Sequence, residues 1–322
     1  MTIPNLPIEN VHACVDIGGT KIAVSFMRTD NLTLAQTPHL LARNAEPTAK
    51  EGDVYALSAQ IVRLIHLSCV QLGMPVSAVA SVGVSSCGPF VMNAGLVELA
   101  APNICGGLGG AARGLPNTLM TALLEAPLRA HFPAVRVEND CIGALEAERR
   151  WGALQGVRNC AYVTWSTGIG MGLCVDGHVL RGKNGNAGHA GHMFVSEHPD
   201  AACGCGNFGD VEAIIAGNAL PRRFGQDAAT LLGAARANDM HALAIIDDIC
   251  RVMGRTLYNL IVTLDLECIS LGGSVFWHHQ DFLLPKLQSH ITGKLPSLTD
   301  GCTLVPAGLG LQVGDYGAAA LF

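Results

Sequence analysis

Residues 12–27 read HACVDIGGTKIAVSFM, and this stretch decides the fold. Two apolar runs flank Gly18–Gly19, a pattern typical of a β-hairpin with its turn at the glycines. Asp16 closes the first run, and Thr20 and Lys21 open the second. Because glycines let backbone N–H groups approach an anion and a hydroxyl adds a donor, the turn favours phosphate binding. Asp16 is then placed to hold Mg²⁺ directly or through water, although an ordinary hairpin with an acidic strand end has the same pattern.

The second half of the chain repeats this order of elements. Apolar runs at 160–165 and 170–175 flank a second glycine turn, STGIG at 166–170. A later strand at 268–271 ends in Gly272–Gly273. Strand, glycine turn and strand in both halves indicate an internal duplication, although the two sequences barely match. Three glycine turns together favour a nucleotide site more than each turn does alone.

Periodic apolar residues predict the remaining elements of an α/β fold. Helical spacing recurs in five segments, which are 53–72, 117–131, 141–150, 239–264 and 308–322. Short apolar runs predict buried strands at 79–84 and 135–137.

The composition excludes several classes of protein. The chain has 322 residues, of which 49% are hydrophobic and 14% charged, and this predicts a compact chain of two domains or one large two-lobed unit. Its net charge of −6 and scattered basic residues argue against a nucleic-acid partner. Residues 64–97 lack charges but are broken by glycine and proline, so no membrane span or membrane partner is expected. No signal peptide is recognisable, and most cysteines lie in apolar contexts, so we expect a soluble cytoplasmic protein.

A second carboxylate, Asp140, lies in the sequence ENDC at 138–141. It follows a predicted strand and precedes a predicted helix, where aspartate commonly serves as an N-cap. The position also suits a general base, because phosphoryl transfer to an alcohol needs a carboxylate that accepts the hydroxyl proton.

Residues 187–212 concentrate metal-ligating side chains. His189 and His192 are followed by a CxC pair and by Asp210 and Glu212. Soft and borderline ligands at this density indicate a bound metal, although two cysteines fall short of the usual zinc set.

Six motifs, taken together, resemble those of the ROK-family sugar kinases in order and over nearly the whole chain. They are DIGGTK at 16–21, ENDC at 138–141, STGIG at 166–170, GHAGH at 188–192, CGCG at 203–206 and LGGS at 271–274. The resemblance implies an actin-like, RNase H-like two-lobed α/β fold with a cleft between the lobes. It implies a small lobe of residues 1–116 plus about 306–322, and a large lobe of residues 117–305. It further implies a homodimer that binds ATP and Mg²⁺ and phosphorylates the 6-hydroxyl of a hexose.

The resemblance assigns roles residue by residue. Asp140 matches the catalytic base. The sugar ligands implied are Gly88, Asn103, Asn139, Asp140, His189 and Glu212. The ATP and phosphate ligands implied are Asp16, Gly18, Gly19, Thr20, Lys21, Thr167, Gly168, Gly272 and Gly273.

The metal loop departs from the family at one ligand. The family's zinc site has one histidine and three cysteines, and Asp210 stands where the third cysteine is expected. A carboxylate oxygen is an acceptable zinc ligand. Either zinc binds to His192, Cys203, Cys205 and Asp210, or the loop has lost its metal.

A second departure concerns the sugar. Most of these kinases carry glutamate where this chain has His189, whereas GHAGH is similar to the motif of bacterial N-acetylmannosamine kinases. Residues 103–107, NICGG, are similar to a motif of the same kinases. An imidazole offers one donor and one acceptor, which suits an acylamino group at C2 better than a second hydroxyl. N-acetylmannosamine is therefore favoured, while glucose, N-acetylglucosamine, allose and fructose stay open, as does a histidine that merely packs beside the loop.

Two further classes of protein are alternatives to an enzyme. The family contains sugar-responsive regulators with an N-terminal DNA-binding domain, for which the position of Asp16 leaves no room. A regulator without that domain is the alternative that stays open. A catalytically inactive sugar-binding module is expected to lack the base or a phosphate turn, yet Asp140 and Gly18–Gly19 are both present.

Overall fold

The computed structural model describes residues 10–28, 36–109, 114–195 and 198–322. The chain is an α/β protein that divides into two compact units. The first unit comprises Met1–Gly143 and Gly314–Phe322, and the second comprises Ala144–Val313. The small lobe of residues 1–116 plus about 306–322 that the family resemblance implies stays a prediction.

The first unit contains a five-stranded sheet, a three-stranded sheet and the helices that cover them. Its strands are β1 (Val11–Ile17), β2 (Lys21–Arg28), β3 (Leu40–Pro47), β4 (Val79–Ser86), β5 (Phe90–Asn93), β6 (Leu96–Leu99), β7 (Ala122–Leu123) and β8 (Val135–Asn139). Its helices are α1 (Ala56–Leu72), α2 (Gly106–Gly109) and α3 (Glu125–His131), followed by α4 (Asp140–Trp151), which continues into the second unit. A 3₁₀ turn covers Val76–Ala78.

The second unit contains another five-stranded sheet and a group of helices. Its strands are β9 (Cys160–Trp165), β10 (Ile169–Val175), β11 (His178–Val179), β12 (Cys268–Gly272) and β13 (Thr303–Pro306). Its helices are α5 (Val211–Ile215), α6 (Leu220–Phe224), α7 (Ala228–Arg236), α8 (Met240–Leu264), α9 (Ser274–Trp277), α10 (Gln280–Ser289) and α11 (Pro296–Thr299). Two 3₁₀ turns cover Ala190–His192 and Gly310–Gln312, and α12 (Val313–Ala319) returns the chain to the first unit.

The two five-stranded sheets have the same topology. Their strand orders are β3-β2-β1-β4-β8 and β11-β10-β9-β12-β13. In each sheet the first strand of the hairpin pairs antiparallel with the second and parallel with a later strand. The structure thus confirms the repeat that the sequence indicated. It also places the first two glycine turns at equivalent points, between β1 and β2 and between β9 and β10.

Each sheet is covered by a long helix with an apolar face. In the first unit α1 buries Leu57, Ile61, Leu64 and Ile65 at helical spacing, as the sequence predicted. In the second unit α8 begins at the N-cap Asp239, whose side chain accepts from the Ala242 N–H. No helix among the described residues is long and apolar enough to cross a membrane.

The helix predicted over 117–131 is wrong in its first half. Asn117 accepts hydrogen bonds from the N–H groups of Gly106 and Leu119 and donates to the Lys50 carbonyl. These bonds hold its backbone in a turn, and β7 then pairs with β6. The helix α3 therefore starts only at Glu125.

Candidate active site and metal centre

The first glycine turn is closed by a hydrogen bond from the Gly18 N–H to the Lys21 carbonyl, 2.9 Å long. The side chain of Asn103 lies directly against Gly19, so a Cβ at position 19 would clash with its amide group. Only glycine therefore allows this asparagine to lie over the turn. A residue expected to bind sugar thus lies beside one expected to bind phosphate.

Asp16 lies at the end of β1 among other carboxylates. Its pKa is raised to about 7, chiefly by burial and further by the charges of Asp315 and Asp140, while the charges of Arg43 and Lys21 partly offset this rise. Asp315 belongs to α12 and accepts a 2.7 Å hydrogen bond from the Arg43 Nε. The structure therefore brings Asp16 and Asp140 together, and it adds Asp315, which was not predicted.

The raised pKa of Asp16 has a consequence for stability. Between the unfolded value of 3.8 and the folded value of about 7, the folded chain binds more protons than the unfolded chain. Stability is therefore lost as pH rises through this window. We expect Asp16→Asn to be more stable than the wild type at pH 8 by on the order of 2 kcal/mol in magnesium-free buffer, and no more stable near pH 4. Urea unfolding of both proteins at the two pH values measures the difference, and a difference independent of pH would contradict the assignment.

Asp140 is the first residue of α4, directly after β8. The Asn139 Oδ1 accepts from the N–H groups of Cys141 and Ile142, at 3.0 and 3.4 Å, as an N-cap does. One oxygen of Asp140 also accepts from the Cys141 N–H, at 2.8 Å. The helix is therefore capped by Asn139, and capping does not by itself account for Asp140. Gly88, the other sugar ligand expected in this unit, lies in the loop between β4 and β5.

Two glycine turns meet in the second unit. The Ser166 Oγ, at the start of the turn that holds Thr167 and Gly168, lies 3.0 Å from the Ser274 Oγ. Gly273 packs so closely on Trp165 that a Cβ would clash with its backbone. A further segment was not predicted: the N–H groups of Gly217 and Asn218 donate to the carbonyls of Ser166 and Thr167.

Glu212 connects this turn with the metal loop. Its Oε2 accepts from the Ile169 N–H at 3.0 Å, and a Cβ at Gly168 would lie 2.7 Å from the same oxygen. Its Oε1 lies 3.9 Å from the Cys203 Sγ. The His189 ring lies 6.3 Å from the His192 ring, between centroids. The expected sugar ligands His189 and Glu212 therefore both lie close to predicted metal ligands, His192 and Cys203.

The four predicted metal ligands converge. The ligand atoms of His192, Cys203, Cys205 and Asp210 all lie within 4.8 Å of one another. From the His192 Nδ1, the Asp210 Oδ2 is 3.1 Å away, the Cys205 Sγ 3.6 Å and the Cys203 Sγ 3.8 Å. The Cys205 Sγ lies 3.6 Å from the same Asp210 oxygen.

These separations fit a tetrahedral zinc ion. Zinc bond lengths at a tetrahedral angle separate a nitrogen from a sulfur by about 3.6 Å and a nitrogen from an oxygen by about 3.4 Å. Asp210 is fully buried, and its other oxygen caps α5 through the Ala213 N–H at 2.8 Å. One oxygen of Asp210 is thus fixed by the helix while the other points at the cluster.

The electrostatics of the cluster favour a cation. Burial raises the pKa of the Cys203 thiol, and the charges of Glu212 and Asp210 raise it further. Burial alone would raise the pKa of Asp210 too, but hydrogen bonds from His192 and Ala213 more than offset it, and its pKa is lowered. A divalent ion would stabilise the Cys203 thiolate, which burial and the neighbouring carboxylates otherwise disfavour.

A family model described as the ROK family matches residues 12–322. A glucokinase of Aeropyrum pernix is 27% identical over 333 residues, covering 95% of this chain and 95% of the relative. An N-acetylmannosamine kinase of Salmonella typhimurium is 32% identical over 268 residues, covering 81% of this chain and 82% of the relative.

Solved structures of similar proteins confirm the expected fold class. A ROK hexokinase from Thermus thermophilus superposes with a TM-score of 0.73 at 28% identity, covering 96% of this chain and 97% of that structure. A ROK glucokinase from Streptomyces griseus in complex with glucose and AMPPNP has a TM-score of 0.69 at 25% identity, covering 97% and 99%.

Proposed function

Because the chain belongs to the ROK family of sugar kinases, we propose that it transfers the γ-phosphoryl group of ATP to the 6-hydroxyl of N-acetylmannosamine. The observation that carries the kinase chemistry is the position of Asp140. Its carboxylate begins α4 close to Asp16 and the first glycine turn, while Asn139 supplies the cap.

Asp140 would act as the general base. It accepts the proton of the sugar hydroxyl while that oxygen forms a bond to the γ-phosphorus, and the bond to the β-phosphate oxygen breaks, releasing ADP. Mg²⁺, when bound, would neutralise charge on the phosphates. Asp16 would hold the cation, because carboxylate oxygens are preferred ligands of Mg²⁺. Burial and the neighbouring carboxylates disfavour ionisation of Asp16 when no cation is bound.

The phosphates of ATP would be bound by the glycine turns. Gly18, Gly19, Thr20 and Lys21 would bind them from the first unit, and Thr167 and Gly168 from the second. Gly272–Gly273 at the end of β12 would contact the nucleoside. The packing of Gly273 on Trp165 and the link between Ser166 and Ser274 support a shared role for the two turns of the second unit.

The choice of sugar rests on His189. The family resemblance implies that the residue at this position contacts the C1–C2 region of the sugar, and the His189 ring lies 6.3 Å from the ring of His192. A coupled ADP-release assay with N-acetylmannosamine, glucose, N-acetylglucosamine, allose and fructose tests the assignment. We expect the highest kcat/KM with N-acetylmannosamine, and a higher value with glucose would overturn it.

Changing His189 should change the preference among sugars. We expect His189→Glu to lower the ratio of kcat/KM for N-acetylmannosamine to that for glucose by roughly 10–100-fold, since a carboxylate accepts two hydroxyl protons but cannot donate to an acyl oxygen. His178→Glu makes the same change at an exposed position of β11 and should leave the ratio unaltered. A ratio equal in all three proteins would show that His189 only packs beside the loop.

We also propose that His192, Cys203, Cys205 and Asp210 hold a structural zinc ion, on the strength of the tetrahedral separations of their ligand atoms. The ion would fix the loop that carries the sugar ligands and would not touch the reacting atoms. A homodimer and a cytoplasmic location, which the family resemblance implies, stay predictions.

A further inference from the structure

Thr48 binds both sides of the first glycine turn. It directly follows β3 and is 4% exposed. Its Oγ1 donates to the Gly18 carbonyl at 2.7 Å, and its N–H donates to the Thr20 carbonyl at 3.2 Å. One buried residue therefore holds the carbonyls on either side of Gly19.

The hydroxyl bond decides which way the Gly18–Gly19 peptide faces. In a planar trans peptide the C=O and N–H groups point in opposite directions. Because the Gly18 carbonyl accepts from the Thr48 hydroxyl, the Gly19 N–H points to the side of the peptide opposite Thr48. A peptide between two glycines has the least steric resistance to rotation, so it depends on such an anchor.

The backbone around Thr48 is held by the side chain of Gln60, a residue of α1 that is 8% exposed. The Gln60 Oε1 accepts from the Ala49 N–H at 2.8 Å, and its Nε2 donates to the Pro47 carbonyl at 2.8 Å. The Nε2 also donates to the Glu46 carboxylate at 2.6 Å. The backbone is thus fixed on both sides of Thr48 by one side chain, and buried networks of this kind are rigid when every member is satisfied.

We propose that Thr48, held by Gln60, is a positioning residue that orients the Gly19 N–H toward the terminal phosphates of the nucleotide. The inference rests on the proposed function, because it takes the first glycine turn as a phosphate site. Thr48 acts through the turn and touches neither substrate. Neither Thr48 nor Gln60 carries a motif that marks it in the sequence.

The test compares the affinities for ATP and AMP, measured by calorimetry with Mg²⁺ and without sugar. Thr48→Val keeps the shape of the side chain and removes the donor. We expect it to weaken ATP binding by roughly 10-fold and AMP binding by less than about 2-fold, since AMP lacks the terminal phosphates. Thr48→Ser should restore ATP affinity to within about 3-fold of the wild type, because the hydroxyl returns.

Thr256→Val is the matched control. Thr256 is fully buried in α8, and its Oγ1 donates to the Val252 carbonyl at 3.0 Å. This variant loses the same kind of bond in the second unit and should bind both nucleotides as the wild type does. Equal weakening of ATP and AMP by Thr48→Val, or a serine variant that stays folded without regaining ATP affinity, would overturn the positioning role.

These titrations, together with the ADP-release assay, separate the inference from the proposed function. A wild type that binds ATP but phosphorylates no hexose would contradict the function, while the Thr48 comparison still decides the inference. A wild type that binds no nucleotide would overturn both.

Discussion

Asp140→Asn is expected to lower kcat for hexose phosphorylation by roughly 10²–10⁴-fold, the range that a general base contributes. An amide cannot accept the hydroxyl proton, so the attacking oxygen stays protonated. The local structure should persist, because the amide oxygen still accepts from the Cys141 N–H and Asn139 still caps α4. Sugar affinity, measured by calorimetry, should therefore change little while steady-state turnover collapses.

Asp53→Asn provides the matched control for this loss. Asp53 is an exposed aspartate of the same unit whose Oδ1 accepts from a backbone N–H, that of Tyr55, at 2.9 Å. Its variant should keep wild-type turnover. Near-normal turnover in the Asp140 variant would refute the base, whereas loss of sugar binding along with turnover would indicate a structural defect.

Asp210→Asn should lower the zinc content of the purified protein from about one ion per chain to a small fraction. The amide keeps the capping bond to the Ala213 N–H, so the variant removes the ligand and leaves the helix cap. Because a metal that binds only the folded chain stabilises it by mass action, the melting temperature should fall by several degrees. The kcat/KM for the sugar should fall as well, since the loop carries His189 and Glu212.

Asp227→Asn isolates the effect of the cap. Asp227 caps α7 in the same unit, and its Oδ1 accepts from the Thr230 N–H at 2.8 Å. The capping bond from the Ala213 N–H to the Asp210 Oδ1 has the same length. Its variant should keep its zinc. Elemental analysis and thermal melting with and without a chelator measure both proteins. A wild type that contains no zinc and is fully active would contradict the metal centre.

Local patterns predicted the parts of the structure that depend on neighbours in sequence. The hairpin around Gly18–Gly19 was predicted because two apolar runs on either side of a glycine pair specify it within a few residues. The metal cluster was predicted because three of its four ligands lie within the eight residues from Cys203 to Asp210.

Features that depend on distant parts of the chain were not predicted. Asp315 lies close to Asp16 only because α12, which follows the second unit in sequence, belongs to the first unit. The chain forms a turn at Asn117 in place of the expected helix. Its side chain donates to the carbonyl of Lys50, which is distant in sequence, and such tertiary bonds outweigh local helix propensity. The sequence offered Asp140 as a possible N-cap, whereas Asn139 caps α4, and local pattern does not separate the two because both residue types cap helices equally well.

The most direct test of the kinase assignment is phosphorus NMR of the wild-type protein incubated with ATP, Mg²⁺ and N-acetylmannosamine. The predicted result is a new phosphomonoester on C6 that accumulates with ADP in equal amount, and that forms at least about 100-fold more slowly with Asp140→Asn. The same experiment is repeated with glucose, N-acetylglucosamine, allose and fructose. A protein that binds sugar but phosphorylates none of these hexoses would contradict the assignment and indicate a sugar-responsive regulator.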